Sequence, residues 1–165
     1  MDAEKFTKKS LEVIESCEKL AYEYNNQELT QAHLMYALVT VEDSLIAKLL
    51  TNMGINMDAF TGECEKLVAN RPKVSGGQLF TSPEFSKALI QAEKEAKQMG
   101  DDYISVEHIF LGLLEKADKD IKRVINAYGI TRGKFLQVLA NIRGNRKVES
   151  DNPEDTYDAL NKYGY

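Results

Sequence analysis

Two histidines, His33 and His108, and two cysteines, Cys17 and Cys64, are the side chains of this sequence best suited to metal or nucleophilic chemistry. Structural zinc sites use close ligand pairs, and positions 17, 33, 64 and 108 contain none. Each histidine instead stands three residues after a hydroxyl, Thr30 or Ser105, and just before an apolar run. That spacing predicts a first-turn residue helping to close a helix start. Both cysteines fall on apolar stripes, where a thiol packs as a small core group. The stretch GITRGKF, Gly129 to Phe135, imitates a phosphate-binding loop but is one residue short between its glycines. It also has Phe135 where a magnesium-holding hydroxyl is required. Asp101 and Glu107 form a carboxylate pair whose simplest role is to favour the positive end of a helix. No nucleophile elbow, paired metal motif or dinucleotide loop is present in the sequence. The expectation is a binding module with no catalytic residues, no metal ligands and no cofactor.

The elements that would position these residues repeat. His33 and His108 stand 75 residues apart (108 − 33), and the same offset aligns most of the chain with itself. Leu38 falls on Leu113, Asp43 on Asp118, Ile46 on Ile121, Gly54-Ile55 on Gly129-Ile130 and Phe60 on Phe135. No gap is needed from about Glu18 to Leu67, which marks two copies of one supersecondary unit. Each copy reads as four amphipathic helices from apolar residues at steps of three and four. Thr30, Ser82 and Ser105 read as caps, Pro83 as a first helical residue, and Gly54 and Gly129 as stops. No alternating pattern of useful strand length occurs. The predicted fold is all-α, two four-helix repeats related by a pseudo-twofold axis, about eight helices in all. The predicted divisions are a first repeat over 1–69, a linker over 70–83, a second repeat over 84–143 and a tether over 144–165.

The chain has 165 residues, 43% hydrophobic and 28% charged, with a net charge of −5. That suits one domain able to bury a core, and it lacks the basic face of a nucleic-acid binder. The basic run RGNRK, Arg143 to Lys147, reads as a solvated helix end. No apolar run approaches the ~20 residues of a membrane span, and the start MDAEKFTKK has no signal-peptide core. Two cysteines make no disulfide framework, so the expectation is a cytoplasmic protein with reduced thiols, touching neither nucleic acid nor membrane.

These elements resemble the N-terminal domain of Clp AAA+ chaperones, the double Clp repeat. The resemblance rests on Phe6-Thr7, the two hydroxyl-x-x-His-apolar starts, LGLL at Leu111 to Leu114 and the two Gly-Ile pairs, and covers about residues 3 to 143. The linker RPKVSGGQLFTSPEF and the ending EDTYDALNKYGY are similar to those of the ClpB disaggregase type. The first copy departs from the pattern, with Asn25-Asn26-Gln27-Glu28 where Gly-His is common and Ala32 where Glu107 stands in the second copy. The resemblance implies an all-α domain that engages unfolded or aggregated client polypeptides and hands them to an ATPase ring. ATP and magnesium would belong to ATPase domains outside this chain. The alternative it implies is docking of adaptor proteins, as in ClpC- or ClpA-type chaperones. It places a client groove with Thr7, Asp101 and Glu107 on its rim and Leu11, Leu89, Tyr103 and Ile104 as apolar liners. The isolated domain is expected to be a monomer and the full-length protein a hexamer.

Overall fold

The computed structural model describes residues 2–74, 76–144 and 146–154. Most of the ending EDTYDALNKYGY, from residue 155 on, lies outside the described residues. Eight α-helices occur among them. The first copy supplies α1 (Lys8–Glu23), α2 (Gln31–Thr40), α3 (Leu45–Asn52) and α4 (Met57–Ala69). The second supplies α5 (Pro83–Gln98), α6 (Val106–Glu115), α7 (Lys119–Ala127) and α8 (Arg132–Arg143). Adding 75 to the bounds of α1 and α2 gives the bounds of α5 and α6, so the sequence offset is a structural one. The starts are built by short polar side chains. Thr7, Ser44, Asn56, Ser82, Asp118 and Thr131 each accept a free amide of the first turn. α3 starts one residue later than α7 does at the 75-residue offset, because Asp118 caps α7 whereas its counterpart Asp43 adopts φ 55 and Ser44 takes the cap.

α2 and α6 are apolar almost all round and form the centre. Leu34, Met35 and Leu38 of the one and Ile109, Phe110, Leu111 and Leu113 of the other are fully buried. The remaining helices cover them with a single apolar stripe each. Phe110 packs on Phe135 at 4.5 Å between centroids, and Phe60 of the first copy meets Tyr128 of the second edge-on at 5.2 Å. One core therefore serves both copies. Gln31 adds a polar stitch, donating to the Glu84 and Lys116 carbonyls and accepting from the Asp118 N–H.

The two copies also exchange backbone. The linker ends in β2 (Phe80–Thr81), which pairs in parallel with β1 (Glu28–Leu29) just ahead of α2. These two-residue strands are too short to show alternation, so the sequence pattern missed them. The pseudo-equivalent pairing joins Phe6 to Ile104. Ser82 N–H donates to Leu29 O at 2.8 Å, and Thr7 N–H donates to Ile104 O at 3.0 Å, the same bond 75 residues removed. Each copy's leading segment thus lies against the start of the other copy's second helix. Glycine matters most at Gly112 of α6. A Cβ there would lie 2.3 Å from the Ala88 carbonyl oxygen, so α5 and α6 approach more closely than a side chain allows.

Candidate functional site

The repeated hydroxyl-x-x-His motif builds the same device twice. Thr30 N–H donates to His33 Nδ1 at 3.0 Å, and Ser105 N–H donates to His108 Nδ1 at 2.9 Å. With Nδ1 accepting, each ring carries its proton on Nε2 and donates it onward. His33 Nε2 reaches Asn26 Oδ1 at 2.8 Å, and His108 Nε2 reaches Asp101 Oδ2 at 2.7 Å. Each histidine closes its own helix start and ties it to the loop that precedes it. The role expected from spacing is the role observed. Burial, helped by the Arg71 charge, pushes the His33 imidazole down to about 4, so the ring is neutral at ordinary pH.

The second device carries charge that the first does not. Asp101 hydrogen-bonds the Val148 N–H at 3.0 Å and pairs with the Arg143 guanidinium. Burial pushes its carboxyl up, but the bonds from His108, the Val148 amide and Arg143 outweigh this and hold it below the usual carboxylate range. Arg143 also lies 3.6 Å from Glu107. Glu107 is fully buried, and neither of its oxygens has a hydrogen-bond partner. Glu154, after α8, adds a second buried carboxyl. Its Oε2 accepts from Thr7 Oγ1 at 2.9 Å and from the Val106 N–H at 3.3 Å, at the starts of α1 and α6. Burial first, and then the Glu107 charge, push the Glu154 carboxyl up to about 7.

Of the seven expected groove residues, the structure brings four together, in the interior. Thr7, Ile104, Asp101 and Glu107 form one buried cluster, with Thr7 N–H and Ser10 Oγ both donating to the Ile104 carbonyl. The expected rim of Thr7, Asp101 and Glu107 is therefore corrected to a buried polar core. Thr7 caps α1, Glu107 sits in the first turn of α6, and Asp101 holds a histidine and an arginine. Ile104 is likewise a core residue and not a liner, because its backbone pairs with Phe6. Leu11 (37% exposed) lies one turn beyond Thr7 and faces solvent, while Leu89 and Tyr103 are half-buried. The Lys5–Glu93 ion pair at 2.8 Å ties α5, one turn after Leu89, to the start of the chain.

Sequence reasoning missed Arg143, Ser10 and Glu154. A signal for Arg143 existed: at the 75-residue offset it stands opposite Val68, on an apolar stripe. An arginine replacing a core valine, beside Glu107 replacing Ala32 and Asp101 replacing Asn26, marks a buried charge network. RGNRK is thus split, with Arg143 buried and Arg146 and Lys147 exposed. Nothing local pointed to Glu154.

The remaining chemistry is quiet. No group of three or more metal-capable side chains occurs among the described residues. Burial pushes both thiols up, that of Cys64 to about 12, the opposite of activation. Gly129, at φ 65, stops α7, and Thr131 caps α8, so GITRGKF is a helix-to-helix turn. No described helix is long and apolar enough to cross a membrane.

Known proteins agree with this architecture. The Chaperone protein ClpB of Nitratidesulfovibrio vulgaris is 41% identical over 99% of this chain, and that of Clostridium tetani is 40% identical over the same share. In both cases the chain spans about 20% of the relative's length. The Hsp104 N-terminal domain from Candida albicans has the same fold, with a TM-score of 0.80 at 20% identity, over 91% of this chain and 99% of that one. A chain from a structure described as a peptide from the EAEC T6SS Sci1 SciI protein also matches, with a TM-score of 0.68 at 15% identity, over 84% of this chain and 90% of that one. Residues 5–128 match the family described as Clp repeat (R) N-terminal domain, and the chain belongs to that family.

Proposed function

We propose that this domain is the client-engaging N-terminal domain of a ClpB-like ATP-dependent chaperone. It binds unfolded or aggregated polypeptide and presents it to an ATPase ring formed elsewhere in the full-length protein. The observation that carries this is the juxtaposition at the start of α1 and α6. Leu11 is partly exposed there, with Tyr103 half-buried beside Ile104. The same helix starts hold a buried cluster in which three carboxyl oxygens have no hydrogen-bond partner. Exposed apolar side chains suit the apolar segments of an unfolded chain. The duplicated fold serves as a rigid frame, and its chemistry is recognition.

The test is a binding titration with a permanently unfolded protein, such as reduced and carboxymethylated lactalbumin. Saturable binding that weakens with Leu11→Ser supports the reading. Absence of binding to unfolded chains, with tight binding to a small folded partner, supports adaptor docking in its place.

A further inference from the structure

Past α8, residues 146–154 stay on the domain. Arg143 Nε donates to the Arg146 carbonyl at 2.8 Å, and Lys147 Nζ reaches the Met99 carbonyl at 2.7 Å. Val148 is fully buried; its carbonyl accepts from the Asp102 N–H at 2.8 Å, while its own N–H is held by Asp101. The Asp151 carbonyl then takes the Lys8 N–H, an otherwise free first-turn amide of α1, at 2.8 Å. Finally the Glu154 carboxyl plugs the space between Thr7 and Val106. We propose that Arg146–Glu154 is a releasable strap, latched by Glu154 over the starts of α1 and α6, and that it must lift before a client can hold this face. The proposal rests on the client-binding reading above.

The internal repeat argues that this is a device and not a generic path. The linker after α4 takes the corresponding course, with the Val74 N–H donating to Asn25 O at 2.8 Å and Asn26 Nδ2 to Pro72 O at 3.2 Å. At the 75-residue offset, however, Leu79 stands for Glu154 and Ala32 for Glu107. The linker is also fixed beyond that point by β2 and α5. The second half alone seats a carboxyl group of the strap beside another buried carboxyl. Two helix starts favour a negative group. Glu107 opposes it, and the oxygens without partners show that the latch is incompletely satisfied. A latch of this kind holds while the Glu154 carboxyl carries a proton and loosens when it is charged.

The groups facing Glu154 set the sign. Glu107 of α6 repels it, and Arg143 of α8 is shared between Glu107 and Asp101. Asp101 is further bonded to His108, and Lys8 of α1 lies 3.9 Å from Asp151 on the strap itself. Latching raises the Glu154 pKa from the ordinary 4.5 to about 7, so the strap takes up a proton as it docks. Its hold is complete below about 4.5 and is lost as pH rises through about 7.

The experiment follows backbone amides of the isotopically labelled chain from pH 5.5 to 8.5, and in parallel its affinity for reduced, carboxymethylated lactalbumin. In the wild type, the Val148 and Asp151 amides of the strap and the Lys8 and Val106 amides of its seat should lose their docked shifts as pH rises, with the docked-to-free ratio falling at least about tenfold. Glu154→Gln keeps an acceptor without the charge and should stay docked throughout. Glu154→Ala should be released throughout. At pH 5.5, where the wild type is latched, the Ala variant should bind the unfolded probe about fivefold more tightly than the wild type, and at pH 8.5, where the wild type is released, the Gln variant should bind it more weakly than the wild type. Strap amides indifferent to pH and to both variants would overturn the proposal. So would a released strap with unchanged affinity. If no variant binds the probe, the client-binding reading fails and the guarding role fails with it, while the amide shifts still show whether the latch exists.

Discussion

The two halves share one backbone plan and differ in what they bury at its equivalent points. Asn26, Ala32 and Val68 in the first half stand where Asp101, Glu107 and Arg143 stand in the second. Around His33 the set is neutral, and the ring needs only an amide oxygen. Around His108 the set is charged, with an arginine between two carboxylates and a third carboxyl brought in by the strap. The neutral half shows what the fold needs. The charged half shows what was added to it, at a cost in desolvation that the fold does not require.

Arg143 gives the sharpest way to break the comparison. Arg143→Met strands two buried carboxylates and should cost about 3–5 kcal/mol in urea unfolding. Its counterpart Val68→Ala removes only methyl groups, a loss of about 2 kcal/mol. The triple change Asp101→Asn, Glu107→Ala, Arg143→Val installs the neutral set of the first half. It should lie within about 2 kcal/mol of the wild type although three charges are gone. A triple variant as unstable as Arg143→Met alone would show that the halves are not interchangeable frames.

Next in size is the helix contact. Gly112→Ala must push α5 from α6 and should cost about 3 kcal/mol, whereas Ala37→Gly at the equivalent point of α2 should cost about 1 kcal/mol. Thermal unfolding of the two variants ranks them.

Glu107→Ala should change stability by under about 1 kcal/mol, because it removes a buried carboxylate that no hydrogen bond satisfies and leaves Arg143 paired with Asp101. It should also bring the Glu154 carboxyl back down towards its ordinary value, readable in a carbon-detected carboxyl titration.

A check by pH belongs to His33. With its folded pKa depressed to about 4, it contributes stability fully above about 6.5, and this is lost as pH falls towards 4. Its nitrogen shifts should keep the neutral, Nε2-protonated pattern at pH 5.5.

Much of the frame was legible because it is local. Thr30, Ser82 and Ser105 cap, Gly54 and Gly129 stop, and apolar residues three and four apart make stripes. The offset doubled every such signal. The site was less legible because it is assembled from distant segments. Thr7, Asp101 and Glu107 are polar residues at helix starts and loops, positions that a sequence reading places at the surface. Only Arg143 opposite Val68 betrayed that they are buried. Glu154 carried no pattern at all, since its role depends on the chain doubling back past α8.

Recognition is assigned to the charged cluster where the start of α1 meets the start of α6, and not to its neutral counterpart where the start of α5 meets the start of α2. The direct measurement is a titration of the isotopically labelled chain with reduced, carboxymethylated lactalbumin, reading every backbone amide. Shifts should gather at Thr7, Leu11, Leu89, Tyr103 and Val106, with Ser82, Ser86, Ile14, Glu28 and Gln31, their counterparts at the 75-residue offset, unmoved. Shifts of equal size in both sets, or confined to the second set, would contradict that assignment.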